Sequence, residues 1–147
     1  MRGPPEELAH LELQPHPEGG FFRETHRSEL LTTIDFLLVP GSFSAWHRVE
    51  GADEVWNHHR GGRLRLHLLS PAGEHVAIEL GDDRFSAVVP AGWWQAAEPV
   101  DDAWVLVGCT VSPPFTFERF SMATSATFDR FPEHAALRRL LVAPREA

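Results

Sequence analysis

Short apolar runs, broken by glycine and proline, occupy most of the chain, and several alternate with polar residues at the two-residue period of a strand. TTIDFLLVPG (32–41) is rich in β-branched and aromatic residues and stops at Pro40-Gly41. SFSAWHRV follows, and strict alternation puts Phe43, Ala45, His47 and Val49 on one face. In EVWNHH the same rule sets Glu54, Trp56 and His58 against Val55, Asn57 and His59. Gly61-Gly62 ends that run, and RLRLHLLS then opposes Leu64, Leu66 and Leu68 to Arg63, Arg65 and His67. HVAIEL, FSAVVP, AGWWQAA and AWVLVGCTVS continue the pattern, and TFERFSMA predicts a further strand with Phe115 and Phe117 inward and Phe120 as a further candidate. Regular short strands of this kind predict an all-β sandwich or barrel rather than alternating strands and helices.

The two ends read differently. Residues 1–10 are polar and proline-containing, either a loose arm or the start of a short helix over Glu6–Leu11. The tail FPEHAALRRLLVAP predicts a helix entered at Pro132, with Glu133 near its start and Arg138 and Arg139 near its end. Leu137, Leu140 and Leu141 make its apolar stripe, and Pro144 stops it.

With 147 residues the chain has the length of one domain, assigned to 1–147. Lys+Arg 13 against Asp+Glu 21 gives a net charge of -8, which disfavours nucleic acid as a partner. One cysteine, Cys109, excludes an internal disulfide and a thiolate metal cluster, and cytoplasmic residence is the expectation. Cys109 lies in an apolar strand, where it reads as a small buried hydrophobe. No run approaches the length of a membrane-spanning helix, and none in the first twenty residues resembles a signal peptide, so no membrane partner is expected.

The candidate chemistry is sparse. His47 ends one strand and Glu54 starts the next, so an antiparallel pairing brings them together inside a barrel as an acid/base pair or as two metal ligands. A buried structural His–Glu bond is the alternative. Arg23 or Arg48 would bind an anionic group of a ligand, and Trp46, Trp56, Trp93 and Trp94 either line a cavity or pack the core.

At these residues the sequence resembles the cupin superfamily. Gly41, His47, Glu54 and Gly61 stand at the spacing of that family's first motif, with Val49 at its second histidine. Pro90 and Gly92 match the second motif, whose ligand histidine is replaced by Gln95, while Arg84 and Pro99 depart from it. The chain is more similar to a small one-domain cupin group without an assigned role. The shared stretches are HPEGGFFRETHRS (16–28), SAWHRV (44–49), DEVWNHHRG (53–61), VPAGWWQ (89–95), LVGCTVSPPFTF (106–117) and the helix entry at 130–132. The resemblance implies a jelly roll, or double-stranded β-helix barrel, with a short C-terminal helix, and a homodimer.

Of the family's three-histidine, one-glutamate metal set only His47 and Glu54 remain, with Gln95 a poor third. A weakly held divalent ion is the metal outcome this set allows, and no cofactor is assigned. His58 shares the face of Glu54 but lies further along the strand; His59 points outward unless a bulge before Gly61 reverses it. The sequence therefore predicts a small polar metabolite in the barrel, handled by His47 and Glu54 in an isomerisation or epimerisation. Arg23, Trp56, His58, His59, Trp94 and Gln95 are the candidate ligand-binding residues. Binding or sensing without catalysis, and a metal-dependent enzyme, are the competing classes.

Overall fold

Among the residues described by the computed structural model, 3–142, eleven strands pair antiparallel into two sheets. The first sheet runs β1 (Gln14–Pro15), β2 (Phe21–Arg27), β3 (Thr32–Leu38), β10 (Val105–Ser112), β5 (Asp53–Gly61) and β8 (Ser86–Val89). The second runs β11 (Phe120–Met122), β4 (Ser44–Val49), β9 (Trp94–Pro99), β6 (Leu64–Leu69) and β7 (His75–Leu80). The connections cross repeatedly between the sheets, which is the expected jelly-roll barrel. No helix among the described residues is long and apolar enough to cross a membrane.

Alternation works as the sequence predicts in most strands. Leu64, Leu66 and Leu68 of β6 are buried with Phe36, Trp56, Leu80 and Val107 between the sheets. The interior is layered along the strands. On β3, Thr32 and Ile34 line a cavity, while Phe36 and Leu38 belong to the dry core. On the antiparallel neighbour β10 the order reverses, with Val105 and Val107 in the core and Cys109 and Val111 at the cavity. On β5, Glu54 faces the cavity and Trp56 the core. One end of the barrel is thus a chamber and the other is packed solid.

Strand β4 departs from simple alternation. Ser44 pairs with Ala97 and His47 with Gln95, so four residues on β4 span three on β9 and a bulge lies between them. Phe43 consequently packs on the outer side with Trp46 and Trp94, not with His47 as strict alternation predicts. The bulge also lets Ser44 and His47, three residues apart, both reach Glu18.

The N-terminal segment takes the short-helix alternative, and the C-terminal one differs from expectation in kind. Glu6–Leu11 forms a 3-10 helix that inserts Leu8 between Leu37, Val39 and Leu106. The C-terminal segment is a short α1 (Ser125–Phe128) followed by a 3-10 stretch, Pro132–Leu140, kinked at His134, rather than one α-helix. Its inward residues, Phe131, His134, Leu137 and Leu140, repeat every third position, as three residues per turn require. Leu141 has left that stripe. These residues cover Trp46 and Phe128 on the outer face of the second sheet, and Trp46 Nε1 donates to the Leu137 carbonyl at 2.9 Å. The stop assigned to Pro144 lies outside the described residues. TFERFSMA is strand only at Phe120–Met122, after a turn at 117–119, and Phe117 is 65% exposed.

Candidate functional site

The chamber has a volume of about 100 Å³ and opens between β2 and the loop that carries Phe115 and Phe117. Two of its polar residues come from the turn joining β1 to β2. In HPEGG, Gly19 N–H donates to the His16 carbonyl and His16 N–H to the Gly20 carbonyl, closing a tight loop. Gly19 has φ +110°, and a β-carbon there would meet the Phe43 carbonyl, so no other residue lets the loop lie this close to β4. The result is that His16 and Glu18 are carried into the chamber.

His16, Glu18, His47 and Glu54 meet there. The Ser44 hydroxyl donates to Glu18 Oε2, and His47 Nε2 lies 3.5 Å from the same oxygen. Glu18 N–H donates to His16 Nδ1 at 3.1 Å, which leaves the proton of a neutral His16 ring on Nε2. His47 Nδ1 is 2.7 Å from the Ala45 carbonyl, a contact that requires an N–H at Nδ1. A neutral His47 therefore presents a basic Nε2 lone pair. Glu54 Oε1 accepts from Gln95 Nε2 at 3.0 Å, and Gln95 Oε1 accepts from Trp56 Nε1 at 2.8 Å.

Burial sets the protonation states. It raises the Glu18 carboxyl to about 8, against the Ser44 hydrogen bond, which favours the anion. It raises Glu54 to about 7; His47, Gln95 and Cys109 act in the opposite direction, and Glu18 adds to the rise. His47 is lowered by burial, with Glu54 and the Ala45 carbonyl opposing. His16 falls to about 4 through burial and the proximity of His47. Burial, Glu54 and Glu18 push the Cys109 thiol well above its ordinary range, so it is no nucleophile at neutral pH. At neutral pH the chamber thus holds a neutral imidazole base beside a carboxyl poised to donate.

The family model for the Cupin superfamily (DUF985) matches residues 6–123. The chain belongs to the cupin superfamily. A crystal structure of a protein from Shewanella oneidensis is 36% identical to this cupin, with a TM-score of 0.90, and the match covers 99% of this chain and 100% of that one. A hypothetical protein from Leishmania major is 27% identical, with a TM-score of 0.83, covering 92% of this chain and 97% of that one. The capsular polysaccharide assembling protein CapF of Staphylococcus aureus is 14% identical over 75% of this chain and 33% of its own, with a TM-score of 0.65, a likeness of fold. No curated protein matches the sequence.

Cupin metal chemistry needs three or more converging donors. At the ligand positions of the family motifs this cupin has His47, Val49, Glu54 and Gln95, and both ends of the Gln95 amide are engaged by Trp56 and Glu54. Among the described residues no group of three or more His, Cys, Asp or Glu side chains is arranged to hold a metal ion. The donor set does not fit the family's metal.

The fold brings His47, Glu54, Gln95 and Trp56 together, with Gln95 and Trp56 behind Glu54 as its hydrogen-bonded support. The other candidates lie elsewhere. Arg23 is on the outer face of β2, paired with Asp35 at 3.3 Å. Trp94 is on the outer face of the second sheet, beneath the Arg48 guanidinium at 4.5 Å. Trp46 is sealed under the C-terminal segment. His58 lies at the opposite rim, where its Nε2–H donates to the Gly62 carbonyl at 2.8 Å. His59 sits at a bulge in the β5–β10 pairing, yet stays exposed, its ring over Gly108. Sequence reasoning missed His16, Glu18 and Arg27 as chamber residues. The signal was a titratable pair beside two turn glycines in HPEGG, and a second arginine, Arg27, in RETHRS.

Proposed function

We propose that this cupin is a proton-transfer enzyme that isomerises or epimerises a small polar metabolite in the chamber, with His47 as base and Glu54 as acid. The observation that carries this reading is the fixed tautomer of His47, whose Nδ1–H is held by Ala45 so that the basic nitrogen is Nε2. Glu54, raised to about 7, supplies a proton at neutral pH that an ordinary carboxyl would have lost. His47 Nε2 takes a proton from the carbon next to a carbonyl, and the C–H electrons form a carbon–carbon double bond. The carbonyl electron pair moves onto its oxygen, which receives the Glu54 proton. His47 then returns its proton to the neighbouring carbon while Glu54 takes the proton of the hydroxyl next to it, which gives the isomer and restores both groups; epimerisation follows when the enediol turns over in the chamber before His47 returns the proton. Glu18 and Ser44 position the imidazole side of the chamber.

The test is deuterium incorporation from D2O, followed by NMR, into two- to four-carbon α-hydroxy aldehydes, ketones and acids. Exchange above the enzyme-free rate, lost by at least about 100-fold in His47→Asn and Glu54→Gln, is the expected outcome. A compound that binds in the chamber without exchanging would move this cupin to the binding and sensing class.

A further inference from the structure

Arg27 lines the rim of the chamber, and among the described residues it is the one lysine or arginine that does. Its side chain is 47% exposed. Nε and Nη2 donate to the Glu24 carboxylate, the shortest contact being 2.7 Å, and Nη1 donates to the Phe115 carbonyl at 3.0 Å. These bonds use three of the five guanidinium N–H groups, leaving one on each terminal nitrogen. Each of these N–H groups can donate to a carboxylate oxygen. The Phe115 bond fixes the guanidinium against the loop that forms the mouth, so its position is set before a ligand arrives.

The inner wall is compatible with an anion. Glu18 and Glu54, the acidic groups deeper in the chamber, are largely protonated near pH 6.5, His16 is neutral there, and burial shifts His47 toward its neutral form. Glu24 already neutralises Arg27, so a ligand anion must share or displace that partner. The size is also bounded. A dry cavity of about 150 Å³ accepts the six heavy atoms of benzene, so about 100 Å³ encloses about four, with the charged end of the ligand left in the open mouth.

We infer that the chamber selects a short carboxylic acid, two or three carbons long, with its carboxylate on Arg27 at the rim and its reactive carbon inward against His47. The inference rests on the acid–base reading above for the placement of the reactive carbon, and on Arg27 alone for the charge.

Two probes separate the claims: hydroxypyruvate, and dihydroxyacetone, which keeps the α-hydroxy ketone but replaces the carboxylate by a neutral alcohol. Calorimetric titration at pH 6.5 should give a Kd for hydroxypyruvate at least about tenfold below that for dihydroxyacetone. Arg27→Gln should abolish the preference, and Arg27→Lys should restore part of it. Glu24→Gln removes the competing carboxylate and should tighten hydroxypyruvate binding several-fold with dihydroxyacetone unchanged, whereas a merely structural Glu24–Arg27 pair would make both weaker. Equal affinities in the unmodified protein, or a preference that survives Arg27→Gln, would overturn the inference. Carboxylate preference without deuterium exchange would sink the acid–base reading and leave the anion site standing. Exchange of both probes with equal affinity would do the reverse.

Discussion

Gln95 shows how one side chain ties binding chemistry to stability. It belongs to β9, yet it donates to Glu54 and accepts from Trp56, both on β5 of the opposite sheet. Gln95→Leu keeps the volume and leaves the Trp56 N–H unpaired in the core, so urea denaturation should record a loss of about 1–3 kcal/mol. The Gln95 bond favours the ionised form of Glu54, and its removal should raise that carboxyl further above about 7. The exchange rate of the unmodified protein should rise through the depressed pKa of His47, below 6.5, and fall as Glu54 ionises near pH 7. In Gln95→Leu the alkaline fall should move to higher pH while the acid limb stays. His47 and Glu54 were legible from their short spacing, but not through the expected pairing of their strands: β4 and β5 lie in opposite sheets, and the two side chains meet across the chamber. Glu18 and Arg27 were not legible, because each reaches the chamber through a partner distant in sequence, Ser44 in one case and Phe115 in the other.

At the scale of elements, period-two alternation located the strands well, since residues facing between two sheets must be apolar. It failed where a partner strand imposes the register. The β4 bulge exists because Ser44 and His47 must both turn toward Glu18, a demand that Phe43, Ala45 and His47 do not reveal. The tail illustrates the other failure. Leu137, Leu140 and Leu141 fit an α-helical stripe, but the segment is held at both ends of its first turn, by Pro132 and by His134, whose Nε2 is 2.6 Å from the Gly73 carbonyl. The tighter helix that results buries Leu137 and Leu140 and half-releases Leu141. Leu140→Ala should therefore cost about 2–5 kcal/mol in thermal or chemical unfolding, and Leu141→Ala distinctly less. Glu98 strengthens the same junction: burial alone would raise it, but hydrogen bonds from Arg139 and His67 overcome this and hold it near about 2. An Arg139→Ala change should loosen the segment without altering binding of a chamber ligand, readable as faster amide exchange over 132–140.

For the whole molecule, the buried acids dictate how stability follows pH. Glu18 and Glu54 have folded-state pKa values of about 8 and about 7, above the ordinary 4.5, so the native state holds their protons after the unfolded chain has lost them. Stability from these groups is complete below pH 4.5 and declines as pH rises through 7 and 8. His16, His47, His67 and His75 are lowered from 6.5, and their contribution rises with pH up to that value, offsetting the decline. Above 6.5 the offset ends. Unfolding free energy should drop between pH 6.5 and 8, by about 2 kcal/mol from Glu18 alone at 1.36 kcal/mol per pH unit. Glu18→Gln should flatten most of that slope in urea titrations at several pH values; an unchanged slope would refute the protonation of Glu18. The protein is thus expected to be sturdier in mildly acidic than in mildly alkaline solution.

The layering of the barrel carries a consequence for descent and redesign. Phe36, Leu64, Leu66 and Leu80 form a pedestal at one end, while Val49, Val111 and Thr32 shape a vessel at the other, with Gln95 and Trp56 as the partition. Substitutions in separate, non-touching groups contribute nearly independently. Drift at the rim can accordingly exchange what the vessel accepts without lowering the melting temperature, so lineages sharing one pedestal can inherit different cargoes.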